Sequence, residues 1–180
     1  MFLGEMLSNY KQQRRFILAQ IVITLVAVLI GYRIAFFFTH IIEQGLVMNL
    51  MLGGIGFILL CVFHFLLLYL FYRVAAPQKT IGLQLRFGMV RALMPENQFH
   101  KWVYILMTIV PLFIILILWG VVFSYFPYSS LILVMSSFIG YSALDFCLVL
   151  SSMSSQVKYV EEIPGGLRFY SSARHFMRKL

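Results

Sequence analysis

Four apolar runs, each about 20 residues or longer, dominate this chain, and no water-soluble fold of its size can hide them all. Crossing about 30 Å of hydrocarbon takes about 20 helical residues at 1.5 Å each. The runs are Phe16 to Thr39, Val47 to Tyr72, Trp102 to Phe123 and Ser129 to Met153. Of the 180 residues, 62% are hydrophobic and 11% charged, far below the roughly 25% charge of soluble domains. The expected fold is an all-α membrane protein. Four transmembrane helices form one domain over residues 1–180, with a small strand-containing loop at 73–101 and a tail at 154–180.

Charge sets the expected orientation. Lys11, Arg14 and Arg15 precede the first run, and Arg73, Lys79, Arg86, Arg91 and Lys101 lie between the second and third. Lys158, Arg168, Arg174, Arg178 and Lys179 follow the fourth. The other two connections, His40–Leu46 and Ser124–Tyr128, hold no Lys or Arg. Only Arg33 lies toward that side, where snorkelling or pairing with Glu43 would accommodate it. The positive-inside rule then places both termini in the cytoplasm of a multi-pass cell-membrane protein. The net charge of +8 is accounted for by these flanks, so nucleic-acid binding is not expected. Tyr125, Tyr128 and Trp102 stand at run ends, as interfacial aromatics do, and Phe126-Pro127-Tyr128 marks a tight hairpin. Pro111 interrupts the third run and is expected to kink or loosen that helix.

The loop segment Ile81-Gly82-Leu83-Gln84-Leu85-Arg86-Phe87 alternates apolar residues with a strand period. Gly165-Gly166-Leu167-Arg168-Phe169-Tyr170 is a second, weaker strand candidate, and the two are expected to form one small sheet beneath the helices. Cys61 and Cys147 fall inside apolar runs without ligand spacing, so they read as free, buried thiols.

Ionisable groups inside a span are costly and direct attention to function. His64 in the second span and Asp145 in the fourth each lie about 25 Å along their helices at 1.5 Å per residue. At matching depth they can meet, either as a hydrogen bond between helices or as part of a metal or proton site. Tyr69, Tyr72 and Ser142 offer further hydrogen-bonding groups nearby.

The order of these features resembles that of a family of small bacterial membrane proteins of unknown function classed with the zincin peptidases. The features are the strand-like Ile81–Gly88, Pro111 in the third span and Tyr141-Ser142-Ala143-Leu144-Asp145 in the fourth. The tail Val160-Glu161-Glu162-Ile163-Pro164-Gly165-Gly166-Leu167-Arg168-Phe169-Tyr170 completes the likeness, with Glu162 where the family pattern has aspartate. The resemblance implies a His-Glu-x-x-His motif in the second span, with Asp145 as third zinc ligand. This chain reads His64-Phe65-Leu66-Leu67-Leu68. Two histidines at i and i+4 hold zinc while the glutamate activates water. Phe65 replaces the base and Leu68 the second histidine. His40, His100 and His175 lie too far from the motif to replace it.

The leading expectation is therefore a non-catalytic, pseudo-peptidase-like protein, with no catalytic residue and no bound metal. It would retain His64 and Asp145 as residual metal-site positions and bind a membrane partner or substrate segment in the bilayer. One alternative is an active intramembrane zinc metallopeptidase with an altered site, for which zinc would be the cofactor. Another is a small transporter or channel subunit, for which Gly53, Gly54 and Gly56 offer a partial small-residue stripe for self-association. The basic segment Arg174–Lys179 is expected to rest on an anionic membrane leaflet.

Overall fold

A computed structural model describes residues 10–78, 81–86, 89–93, 97–163 and 166–171. Four long helices form in chain order: α1 (Tyr10–Phe38), α2 (Leu46–Ala75), α3 (Lys101–Tyr125) and α4 (Ser129–Ser152). All four are long and apolar enough to cross a membrane. α1 starts earlier than its apolar run because Lys11, Gln12, Gln13 and Arg14 are good helix formers that extend it without needing lipid. Residues 39–45 and 126–128 join helices at one end of the bundle, here the hairpin end. The other, sheet end carries all of the strands.

α4 occupies the centre and packs against the other three helices. Of its spanning segment 67% is buried, against 6% for α1. The helix richest in small and hydroxylated residues is thus the one enclosed. In lipid no hydrophobic force separates inside from outside, and close backbone approach decides the packing. Gly140 is where this matters most. A Cβ there would fall 1.9 Å from Thr24 Oγ1 and 2.9 Å from the carbonyl oxygen of Gln20 on α1. The same contact carries a hydrogen bond of 3.3 Å from Gln20 Nε2 to the Gly140 carbonyl. Gly53 and Gly56 of α2 similarly admit Leu133 and Val134 of α4. These two glycines serve packing within the chain.

Gly140→Val should push α1 off α4 and cost about 1–3 kcal/mol, as overpacking does. Gly54→Val should be close to neutral, because a Cβ at Gly54 meets nothing within 4 Å. Thermal unfolding of the two variants in one detergent compares them directly.

At the hairpin end Ser129 ties two connections together. Its hydroxyl donates to Asn49 Oδ1 at 2.7 Å and accepts from the Gln44 amide at 3.0 Å. Asn49 Nδ2 returns a hydrogen bond of 3.0 Å to the Gln44 carbonyl. Ile42 donates to the Pro127 carbonyl and accepts from the Ser129 amide. Arg33 lies on the exposed side of α1 near this end, in a shallow hollow with Tyr32, Phe36 and Phe37.

The strands form two sheets rather than one. β1 (Gly82–Arg86) pairs with β2 (Met89–Leu93) as a local antiparallel hairpin. β3 (Gln98–His100), β4 (Tyr159–Ile163) and β5 (Gly166–Tyr170) form a separate antiparallel sheet in that order. The expectation of a single sheet joining residues 81–87 to residues 165–170 is corrected. Each segment pairs with a strand that is its neighbour in sequence, and closing a short loop costs least. Phe99 pairs with Val160, and Glu162 with Leu167. These four side chains are buried on one face of the sheet, against the ends of α2, α3 and α4. His175, the Arg174–Lys179 tail, Lys79, Phe87, Pro164 and Gly165 lie outside the described residues.

Candidate functional site

Two apolar clusters divide the bundle interior. One, at the sheet end, contains Leu68, Tyr72, Tyr104, Met107, Leu144 and Leu148 together with the sheet face. The other, nearer the hairpin end, contains Leu112, Ile115, Met135 and Phe138. The buried polar side chains His64, Thr108, Ser142 and Asp145 fall in sequence between or beside the residues of these clusters, one from α2, one from α3 and two from α4. Thr108 and Ser142 donate back to helix carbonyls, Thr108 Oγ1 to Tyr104 at 3.0 Å and Ser142 Oγ to Phe138 at 2.8 Å. Pro111, also buried in α3, has no amide proton to offer the Met107 carbonyl one turn earlier.

His64 is 1% exposed. Its ring meets Phe138 and Tyr141 of α4 edge to face, with centroids 5.4 and 5.9 Å away. Asp145 follows Tyr141 by one helical turn on the same face of α4, so it lies toward the sheet end from the His64 contacts. Leu68 shares a cluster with Leu144 and Leu148, which bracket Asp145 in sequence. His64 and Leu68 are both on the buried face of α2, four residues apart, and Asp145 stands on α4 between the levels they reach. Phe65, next to His64, is half-buried and packs on the sheet-end cluster.

The remaining histidines lie elsewhere. His40 is exposed near the hairpin end. His100 is exposed in β3, its ring 5.7 Å from that of Tyr159. Tyr69 faces outward, whereas Tyr72 is 1% exposed. The Tyr72 hydroxyl donates to Glu162 Oε1 at 2.6 Å, and both groups are buried. Residues 64, 68 and 72 therefore form one buried line on α2 that ends on a carboxylate delivered by β4. The strand's alternating burial places Glu162 on the inner face with Val160.

Compared with known protein families, residues 57–159 match the family described as "Putative zincin peptidase". That stretch is more than half of the chain and includes both His64 and Asp145. The chain belongs to this family. No curated protein and no solved structure matches it.

Membership in a zincin family implies zinc, and the residues present do not fit it. Catalytic zinc takes three protein ligands and structural zinc four. Here the position four residues after His64 is Leu68, 5% exposed within an apolar cluster. Among the described residues, no three of His, Cys, Asp and Glu come together in a way that would hold a metal ion. The position one helical turn after His64 is thus held by an apolar side chain packed in the sheet-end cluster.

Proposed function

We propose that this protein is a non-catalytic member of the zincin-like family, which keeps the membrane scaffold and binds a membrane partner or substrate segment without cleaving it. The observation that carries this reading is Leu68, packed into the sheet-end cluster at the position where the peptidase chemistry needs a second histidine. Phe65 supports it, because a phenyl ring cannot take a proton from water. Converting the two positions to apolar side chains also removes the cost of burying polar ligands that lack a metal.

The distribution of basic residues supports an orientation with both termini and the sheet end in the cytoplasm of a cell-membrane protein. Arg33, by the hairpin end, is the single departure.

Metal content tests the reading. Detergent-purified protein and its His64→Ala variant should both carry only background zinc by elemental mass spectrometry. Near-stoichiometric zinc that disappears in His64→Ala would overturn the proposal in favour of an active metallopeptidase with replacement ligands.

A further inference from the structure

The positive-inside pattern accounts for every Lys and Arg in the chain except Arg33. This residue stands five positions before the end of α1, about 7.5 Å along the axis at 1.5 Å per residue. It lies within the segment that is long and apolar enough to span. Its side chain is exposed and lines a hollow of about 410 Å³ with Leu29, Tyr32, Phe36 and Phe37. Leu29 lies one helical turn before it and Phe37 one turn after, and both are exposed. The rings of Tyr32 and Phe36, with centroids 6.3 Å apart, border one side. The hollow therefore opens outward from the bundle, which in a membrane is toward lipid.

The pairing with Glu43 that the sequence allows is absent: among the described residues Arg33 makes no ion pair and no hydrogen bond. A guanidinium does not give up its proton, and a charge facing hydrocarbon is costly unless an anion or water meets it. From this depth an arginine side chain can snorkel to the membrane boundary, where lipid phosphates lie. A partner helix could also bring an anion, but helices pack closely in lipid through small residues. On this stretch of α1 the small residues are turned inward. A Cβ at Gly31 would fall 2.9 Å from Ile132 Cγ2 of α4, and Ala35 is buried. The outward side presents Leu29, Arg33, Phe36 and Phe37 instead, bulky side chains with a hollow among them that suits a flexible acyl chain.

From this we infer that the hollow holds one anionic phospholipid, whose phosphate accepts two hydrogen bonds from the Arg33 guanidinium while an acyl chain runs inward past Leu29. The fork of guanidinium N–H donors matches two phosphate oxygens. Charge complementarity selects the headgroup class. Phosphatidylglycerol carries its phosphate without a cation of its own, whereas the phosphate of phosphatidylcholine is already balanced by choline. The volume of the hollow is within the roughly 300–1,000 Å³ of small-molecule sites. Tyr32 and Phe36 stand beside the headgroup boundary, as interfacial aromatics do.

Photocrosslinking in nanodiscs of equal phosphatidylglycerol and phosphatidylcholine tests the site. A benzophenone side chain placed at position 37 should capture phosphatidylglycerol about fivefold over phosphatidylcholine, the worth of one basic side chain at an anionic surface. Placed at position 50, where Leu50 is exposed at the hairpin end of α2, it should capture the two lipids equally. Arg33→Gln should reduce the ratio at position 37 to that at position 50. Its unfolding temperature should match that of the wild type, because the position is exposed. Arg14→Gln, which removes an exposed charge from the other end of α1, should leave the ratio at position 37 unchanged. Equal capture of the two lipids at position 37 with Arg33 present would overturn the inference. So would a preference that survives Arg33→Gln or falls equally in Arg14→Gln. Crosslinks from position 37 that reach a polypeptide and not a lipid would overturn it in favour of an acidic partner helix.

Discussion

Phe65→Glu combined with Leu68→His should give a protein that holds close to one zinc per chain. The positions are already arranged for it. His64 and Leu68 stand four residues apart on the buried face of α2, and Asp145 stands on the facing helix at a level between them. An imidazole at 68 would supply the third ligand, which is the usual number in catalytic zinc sites. The glutamate at 65 would sit beside the site as the group that takes a proton from bound water. Leu68→His alone supplies the same three ligands and should bind zinc about as well as the double variant, and adding Asp145→Ala to the pair should return zinc to background. Elemental mass spectrometry on monodisperse protein reads all three. A folded double variant without zinc would mean that α2 and α4 do not bring these positions together as described. The cost of placing two polar groups in an apolar cluster should appear as a lower unfolding temperature before metal is added and a recovery after it, since ligand binding to the native state stabilises it.

Tyr72→Phe should destabilise the protein by about 1–3 kcal/mol, the usual cost of leaving a buried acceptor short of a donor. The Tyr72 hydroxyl is the group that meets Glu162 Oε1 at 2.6 Å, and Glu162 is 1% exposed. The substitution removes one oxygen and leaves the ring that packs 6.0 Å from Phe99, so the loss reports on the hydrogen bond and not on packing. Glu162→Gln keeps a carbonyl oxygen for Tyr72 and should cost less. Because this contact ties β4 to α2, the first consequence should be a loosened sheet. Limited proteolysis of Tyr72→Phe should cut the segment from Ser154 to Tyr170 faster than in the wild type, while the helices stay resistant. Equal cleavage of wild type and variant would show that the Lys101 amide to Lys158 carbonyl bond and the apolar face of the sheet hold it in place unaided.

The site was legible in part. His64 and Asp145 stood out because an ionisable residue within an apolar span is costly, and Phe65 and Leu68 because the motif that the family resemblance implies has a fixed spacing. Glu162 carried a weaker signal, since a glutamate near a chain end is ordinarily a solvated residue. Only the pairing of β4 with β3 and β5, which turns Val160 and Glu162 to the same side, brings it beneath α2. Thr108 was similarly inconspicuous, because a hydroxyl in a spanning helix satisfies itself on its own backbone and costs little.

What the sequence determines by itself is the four helices and the strand character of two segments, β1 and β5. Four runs that must bury their backbone polar groups in lipid can do so only as helices, and alternating apolar residues at their ends pair as short strands. Which helix lies at the centre was decided in three dimensions. Hydropathy would favour enclosing the most apolar run, yet α4 is enclosed because Gly140 lets α1 approach and because Gly53 and Gly56 of α2 make room for its Leu133 and Val134. In lipid, apolarity does not distinguish the interior from the surface, so shape makes the choice. The same packing places Leu68 in one cluster with Leu144 and Leu148, which follows from how the helices meet and not from any one of them alone.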